Sequence, residues 1–264
     1  MKQFVLSFPP NPEGMIRLYD RDYHYIVRVR RLKPGMSFKA RLPDGEETQV
    51  RILSTVDNIL IGECLAHNTR PAANLLPPIM LFQGLPKGSK LDLIIKQASE
   101  CGVSMVAPFE SEYSTARLSR DPGEKLNRWE KIAKEARQQS GSSTETKIRK
   151  PCGFKNLLEY WESIKKEHEN PLGILLHQEP LENGPLAKGS FHGYLNNQPG
   201  LVALAVGPEG GFSPAEASLF MTAGFRPLLM GNTILRTETA ALYGIAAIRT
   251  ILLESETWKP ISTE

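Results

Sequence analysis

The sequence predicts an α/β domain built around a parallel sheet, preceded by a small β-barrel. Three observations carry that expectation. The first seventy residues hold several short strand-like runs and no long helical stretch. A Pro- and Asn-rich segment, "HNTRPAANLLPP", follows and reads as a linker. Beyond it, strand-like and helix-like patterns alternate almost to the end of the chain. A length of 264 residues suits one large domain or two unequal ones, and the boundary is set here at 1–70 and 71–264.

In the first part, "QFVLSF" is a short β run, and "DRDYHYIVRVRR" reads as one short helix stopped by the turn "KPG". "MSFKARL", "ETQVRILSTV" and "NILIGECLA" then read as strands, separated by turn signals at Asp44-Gly45 and Asp57-Asn58. In the second part, "PIMLFQG" is a buried strand. "SKLDLIIKQASECG" places Leu91, Ile94, Ile95 and Ala98 at helical spacing, with Ser89 and Asp92 resembling a capping box and Gly102 at a helix stop. "VSMVAPF" is the next strand, followed by a helix from about Pro122 to Gln139 and a third near "FKNLLEYWESIKKEH". "PLGILLHQ" and "GLVALAV" are continuous apolar runs, as strands covered on both faces should be. "SPAEASLFMTAG" opens a helix with a Ser213/Glu216 capping box and Pro214 at its first position. "RPLLMG" is a last strand and "TETAALYGIAAIRTILL" a last, strongly apolar helix.

Composition narrows the functional classes. No apolar run is long enough to span a bilayer, and the first residues lack the features of a signal peptide. Cys64, Cys101 and Cys152 are odd in number and widely spaced, which fits neither a disulfide framework nor a zinc site and points to a reducing cytoplasm. The net charge is only +3, but residues 17–41 carry eight Lys or Arg against two Asp. Such a basic N-terminal part suits either contact with nucleic acid or a solvated basic face.

Two loops stand out for chemistry. "AVGPEGGF" falls at the end of a buried strand, where α/β sheets bind ligands, and glycines there permit close backbone approach. It holds Glu209 and neither Lys nor Arg, so it is no P-loop, and a carboxylate argues against a polyanion. A ligand with hydroxyls, an amine or a positive centre suits it better. "LLMGNTILRTETAA" has the same character, with Gly231 at a strand end and Thr237-Glu238-Thr239 opening a helix. Each loop taken singly is explained by a tight turn or by helix capping; the two together favour one site.

"VGPEGGFSPAE" followed by "GNTILRTETAAL" resembles the signature of the ribosomal RNA small subunit (uracil-N3)-methyltransferases of the SPOUT superfamily. "YIVRVRRLKPG", "KGSKLDLIIKQASECGVSMVAPFESEYS" and "RWEKIAKEARQQSG" are similar to that family in order and spacing, so the resemblance covers nearly the whole chain. It implies a PUA-like barrel that helps hold RNA and a SPOUT-type, trefoil-knotted parallel-sheet domain that binds S-adenosylmethionine. It further implies a homodimer, no membrane, and methyl transfer to N3 of a uridine in 16S ribosomal RNA or the small ribosomal subunit. A protein of the same fold that binds RNA or aids ribosome assembly with little or no catalysis is the alternative.

Carried onto this chain, the resemblance assigns the methyl donor to Leu176, His177, Gly207, Pro208, Glu209, Gly210, Gly211, Met230, Gly231, Ile234, Leu235, Thr239 and Ala240. Arg236 is placed to stabilise charge on the uracil ring or to bind a phosphate, and Glu238 is the candidate general base. Thr237 is a structural or ligand-contacting residue. Arg28, Arg30, Arg31 and Lys33 are the expected phosphate contacts. Two stretches depart from the family: Ser142, Ser143 and Thr144 stand where basic residues and a Val-Pro pair are expected after "QSG", and "MKQFVL" lacks the Arg expected near its start.

Overall fold

The structure, a computed structural model, describes residues 4–65, 76–119, 121, 123–177, 191–229 and 231–254. Most of the expected linker lies outside them. The chain divides into two compact units, residues 1–73 with 137–145, and residues 74–136 with 146–264.

The first unit is a mixed five-stranded sheet of β1 (Phe4–Val5), β2 (Met15–Leu18), β3 (Ser37–Arg41), β4 (Glu47–Val56) and β5 (Ile59–Leu65), ordered β1-β3-β4-β5-β2. The turn between β4 and β5 uses Asp57 and Asn58, both at positive φ (52° and 59°), as the tight two-residue hairpin turn requires. Inward-facing Phe38, Ala40, Val50, Ile52 and Leu60 form the core with Phe4. The helix expected over residues 20–31 is shorter and mixed: α1 (Asp20–Tyr23) runs into a π-helical segment, His24–Val29. This segment buries Tyr23 and Ile26.

Residues 137–145, the end of a helix and its following turn, pack within this first unit. Buried Arg137 donates to the main-chain carbonyls of Ser142 and Ser143 at 3.3 and 3.0 Å. Buried Arg41 donates to the carbonyls of Gly45 and Gly141 and pairs with Glu47. A Cβ at Gly45 would sit 2.5 Å from the Ser143 carbonyl oxygen, so the Asp44-Gly45 turn is pressed against this segment. The carbonyls of residues 141–143 therefore do the joining here, which side chains at those positions do not reveal.

The second unit is a seven-stranded, wholly parallel sheet. Its strands are β6 (Ile79–Gly84), β7 (Met105–Glu110), β8 (Lys147–Ile148), β9 (Cys152–Gly153), β10 (Pro171–Leu176), β11 (Leu201–Val206) and β12 (Phe225–Leu228). The order is β12-β10-β11-β6-β7-β8, with β9 also on β7. Helices α2 (Lys90–Glu100), α3 (Gly123–Ser140, as far as residue 136), α4 (Phe154–Ile164), α5 (Phe191–Leu195), α6 (Pro214–Thr222) and α7 (Thr237–Glu254) complete it. Every residue of β6 and β11 is buried, because both faces are covered. Ile79 and Leu81 face α2 and α7 through Leu91, Ile95, Ala241 and Ile245. Met80 and Phe82 face α4 and α6 through Leu157, Trp161, Ala217 and Phe220.

One expected cap differs. Ser89 makes no side-chain capping bond. Asp92 is instead taken by Arg128 and by the indole N–H of Trp129, at 3.1 Å from the latter. An aromatic donor and a guanidinium on α3 outcompete a local bond. At α6 the expected box forms in full: Ser213 Oγ accepts from Glu216 N–H, and the Glu216 carboxylate accepts from Ser213 N–H.

Candidate functional site

Three strands end side by side, β12, β10 and β11, and their following loops converge. From β11 comes Gly207–Ser213, from β12 residues 229 and 231–236, and from β10 His177, whose N–H donates to Leu228 O at 3.1 Å. They enclose a cleft of about 240 Å³. Its walls include Val206, Phe212, Leu228 and Leu229, with Thr233 and Thr237 adding hydroxyls. Among the described residues that line it there is no Lys, Arg, Asp or Glu.

Why the loops hold this shape follows from close packing and two buried polar groups. Gly84, the last residue of β6, lies against the β11 loop: a Cβ there would be 2.6 Å from Pro208 Cδ and 2.7 Å from Pro208 N. A Cβ on Gly207 would be 3.0 Å from the backbone of Gly211, and Gly211 itself needs a positive φ of 71°. Fully buried Gln83 donates to Thr237 Oγ1 at 2.9 Å and to the carbonyl oxygens of Gly84 and Gly207. Thr237 Oγ1 donates to Gly207 O at 2.6 Å. The hydroxyl thus links the start of α7 to the glycine loop. Glu216 extends the bracing, accepting from Ser111 Oγ and Glu112 N–H at 2.9 Å each.

Glu209 faces away from the cleft. Its carboxylate accepts from Lys90 Nζ at 2.6 Å and from Lys87 N–H at 3.2 Å. Lys90 Nζ also lies 3.7 Å from Glu238 Oε2, so one cation joins both glycine-loop and α7 carboxylates to the start of α2. Burial pushes the Glu209 carboxyl up, but the bonds from Lys90, its own N–H and Lys87, with the Lys90 charge, outweigh it and hold it below the usual 4.5. The bond to Glu209 raises Lys90 above its usual 10.5. A lowered carboxyl contributes stability that is complete above its unfolded value and lost as pH falls through its folded one; a raised amine contributes below its unfolded value and loses it at higher pH. The clamp is therefore intact across the whole range between. Glu209→Gln is expected to lower the melting temperature and weaken ligand binding in the cleft by a constant amount from about pH 6 to pH 9, with the difference fading below about pH 4. Melting curves and calorimetry across that range check it; a difference that grows towards acid contradicts the clamp.

Of the residues assigned from sequence, Leu176, His177, Gly207, Pro208, Gly210, Gly211, Gly231, Ile234, Leu235 and Ala240 surround the cleft. Glu209 and Thr239 do not, and Met230 lies outside the described residues. Gly210 approaches another loop as well as the cleft, since its Cβ would meet Tyr113 Cβ at 2.9 Å. Arg236 is exposed just before α7, and Glu238 is half-buried beside Lys90; neither lines the cleft. Sequence reasoning missed Gln83, whose one signal was a polar residue closing an otherwise apolar strand. It also missed Val206, Phe212, Leu228, Leu229 and Thr233, which read as ordinary strand and loop positions. In the first unit, Arg28, Arg31 and Lys33 are exposed, and Arg30 is half-buried with Nη1 making no hydrogen bond among the described residues.

The fold and its strand-end cleft define an RNA-methyltransferase domain with a PUA domain before it: family models for these match residues 74–249 and 18–60. The chain is 29% identical over 230 residues to a ribosomal RNA small subunit methyltransferase E of Bacillus subtilis, covering 86% of each chain. It is 30% identical to that of Synechocystis, covering 91% of this chain and 74% of the other. The crystal structure of a ribosomal RNA small subunit methyltransferase E from Neisseria gonorrhoeae bound to S-adenosyl methionine is 25% identical, with a TM-score of 0.76 over 95% of this chain and 98% of that one. The chain belongs to the ribosomal RNA small subunit methyltransferase E family. Its fold is the parallel-sheet α/β fold of SPOUT methyltransferases with a PUA-like N-terminal unit.

Proposed function

We propose that this chain is an S-adenosylmethionine-dependent methyltransferase that modifies N3 of a uridine in 16S ribosomal RNA, acting in the cytoplasm as a homodimer. The observation that carries this reading is the strand-end cleft, walled by glycines, apolar side chains and two threonines and, among the described residues, free of Lys, Arg, Asp and Glu, in a chain of this family. Its residues fit the donor: Gly207, Gly210, Gly211 and Gly231 line it without side chains of their own, and among the described residues a cationic ligand meets no Lys or Arg. When bound, S-adenosylmethionine supplies an electrophilic methyl group. The loops at 207–211 and 231–235 hold and orient it, with Leu176, Ile234 and Leu235 packing on its base.

The chain's own groups deal with the target. N3 of uracil carries a proton, and its loss leaves negative charge on the ring. Arg236, exposed at the head of α7, stabilises that charge. Glu238 accepts the proton: its Oε2 is buried, takes no hydrogen bond among the described residues and sits beside Lys90. Arg28, Arg30, Arg31 and Lys33 bind phosphates. Among the described residues no helix is long and apolar enough to cross a membrane. Mass mapping of ribosomal RNA from cells with and without this protein tests the reading. One uridine is expected to lose a methyl group at N3 when the protein is absent; an unchanged map, with S-adenosylmethionine still bound by the purified protein, leaves a binding protein instead.

A further inference from the structure

A second cleft of about 240 Å³ lies in the α/β unit, between residues 85–89, the segment after β7, and α3. No part of the chemistry above uses it. Its lining unlike the first is charged: Arg117, Lys125 and Arg128 stand around Leu118 and Trp129. Trp129 is held by its indole N–H bond to Asp92. Arg117 pairs with Glu110 at 2.9 Å and Arg128 with Asp92, yet both side chains remain nearly two-thirds exposed (64% and 63%). Each therefore keeps guanidinium donors open to solvent. Lys125 is exposed and has no ion-pair partner among the described residues. The hydroxyl of Ser89, which caps nothing, lies on the opposite wall.

An apolar floor rimmed by Lys125 and by two guanidiniums that keep exposed donors, with the one lining carboxylate, Asp92, already taken by Arg128 and Trp129, suits a nucleotide in a single strand, the base on the floor and the phosphates on the rim. The cleft is also tied to the loop that follows β11, although the two clefts share no lining residue. Residues 85–89 form one side of it, and the same loop gives Lys87 N–H to Glu209 and leads into Lys90. We infer that this cleft binds a nucleotide of the single-stranded RNA flanking the target uridine, so that substrate RNA touches the loop that braces the methyl-donor cleft. The inference rests on the proposed function.

Lys125→Glu tests it, because this side chain is exposed and its removal breaks no ion pair among the described residues. Fluorescence anisotropy with a labelled uridine-rich single-stranded oligoribonucleotide, over a salt series, reads RNA affinity; calorimetry with S-adenosylmethionine reads donor affinity. The variant is expected to bind the RNA about tenfold more weakly at low salt, with a salt slope smaller by about one, while Lys125→Arg stays near wild type. Donor affinity stays within about twofold. Unchanged RNA affinity and slope in Lys125→Glu, with wild-type protein binding the RNA, overturn the cleft assignment alone. Failure of the wild-type protein to bind the RNA at all overturns the RNA half of the proposed function and this inference with it.

Discussion

Gly84→Ala is expected to weaken S-adenosylmethionine binding while leaving the N-terminal unit folded. The added Cβ would lie 2.6 Å from Pro208 Cδ, 2.7 Å from Pro208 N and 3.1 Å from Gly207 C. None of these is the far end of a flexible side chain, so the clash is relieved only by moving the loop or the strand. Overpacking of this kind costs about 1–3 kcal/mol. Here the displaced segment is the loop proposed to hold the donor, and affinity should fall by about 5- to 150-fold, since an equal cost would appear in binding if the loop must return to place. Gly153→Ala is the control: a Cβ there meets nothing within 4 Å, and donor affinity should be unchanged. Calorimetry with circular dichroism melts reads both. Wild-type donor affinity in a folded Gly84→Ala variant contradicts the role given to this contact.

Arg236→Ala is expected to act on the other half of the reaction. The side chain is exposed at the head of α7 and does not line the donor cleft. It lies near enough to Lys90 to disfavour that amine's proton, behind the stronger opposing effect of Glu209. A cation outside the proposed donor cleft but two residues before Glu238 is proposed to act on the target base. Its removal should slow single-turnover methyl transfer to small-subunit RNA by about a hundredfold, the usual cost of losing one stabiliser of developing negative charge. Donor affinity should change by less than about threefold, and Arg236→Lys should recover part of the rate because it restores charge without the planar fork. Equal loss of rate and donor affinity would make Arg236 a ligand of the donor instead.

How much of this was legible in the sequence differs from place to place. The strands with continuous apolar runs and the Ser213/Glu216 box were readable, because burial on both faces and reciprocal capping leave local signatures. The two glycine loops were readable as a pair, since each combines a strand end with a helix start. The helix over 20–31 was not, because the π-helical step at His24–Val29 follows from packing Tyr23 and Ile26 into the first sheet. The Ser89/Asp92 box failed because Trp129 and Arg128, thirty-six and more residues away, claim the carboxylate. For Glu209 the sequence allows either a ligand contact or a brace for the loop; the choice turns on its tie to Lys90, which spans 119 residues and leaves no local trace. Nor does any pattern show that residues 137–145 group with the first unit, since main-chain carbonyls make that junction.

The central claim is that the loops at 207–212 and 231–240 hold the methyl donor. A crystal structure of the protein with S-adenosylhomocysteine, the demethylated product, tests it most directly. The account predicts the adenine between Leu176, Ile234 and Leu235, with main-chain groups of the two glycine loops on its polar atoms. Density for the nucleoside at any other place on the chain, with this cleft left open, would contradict it.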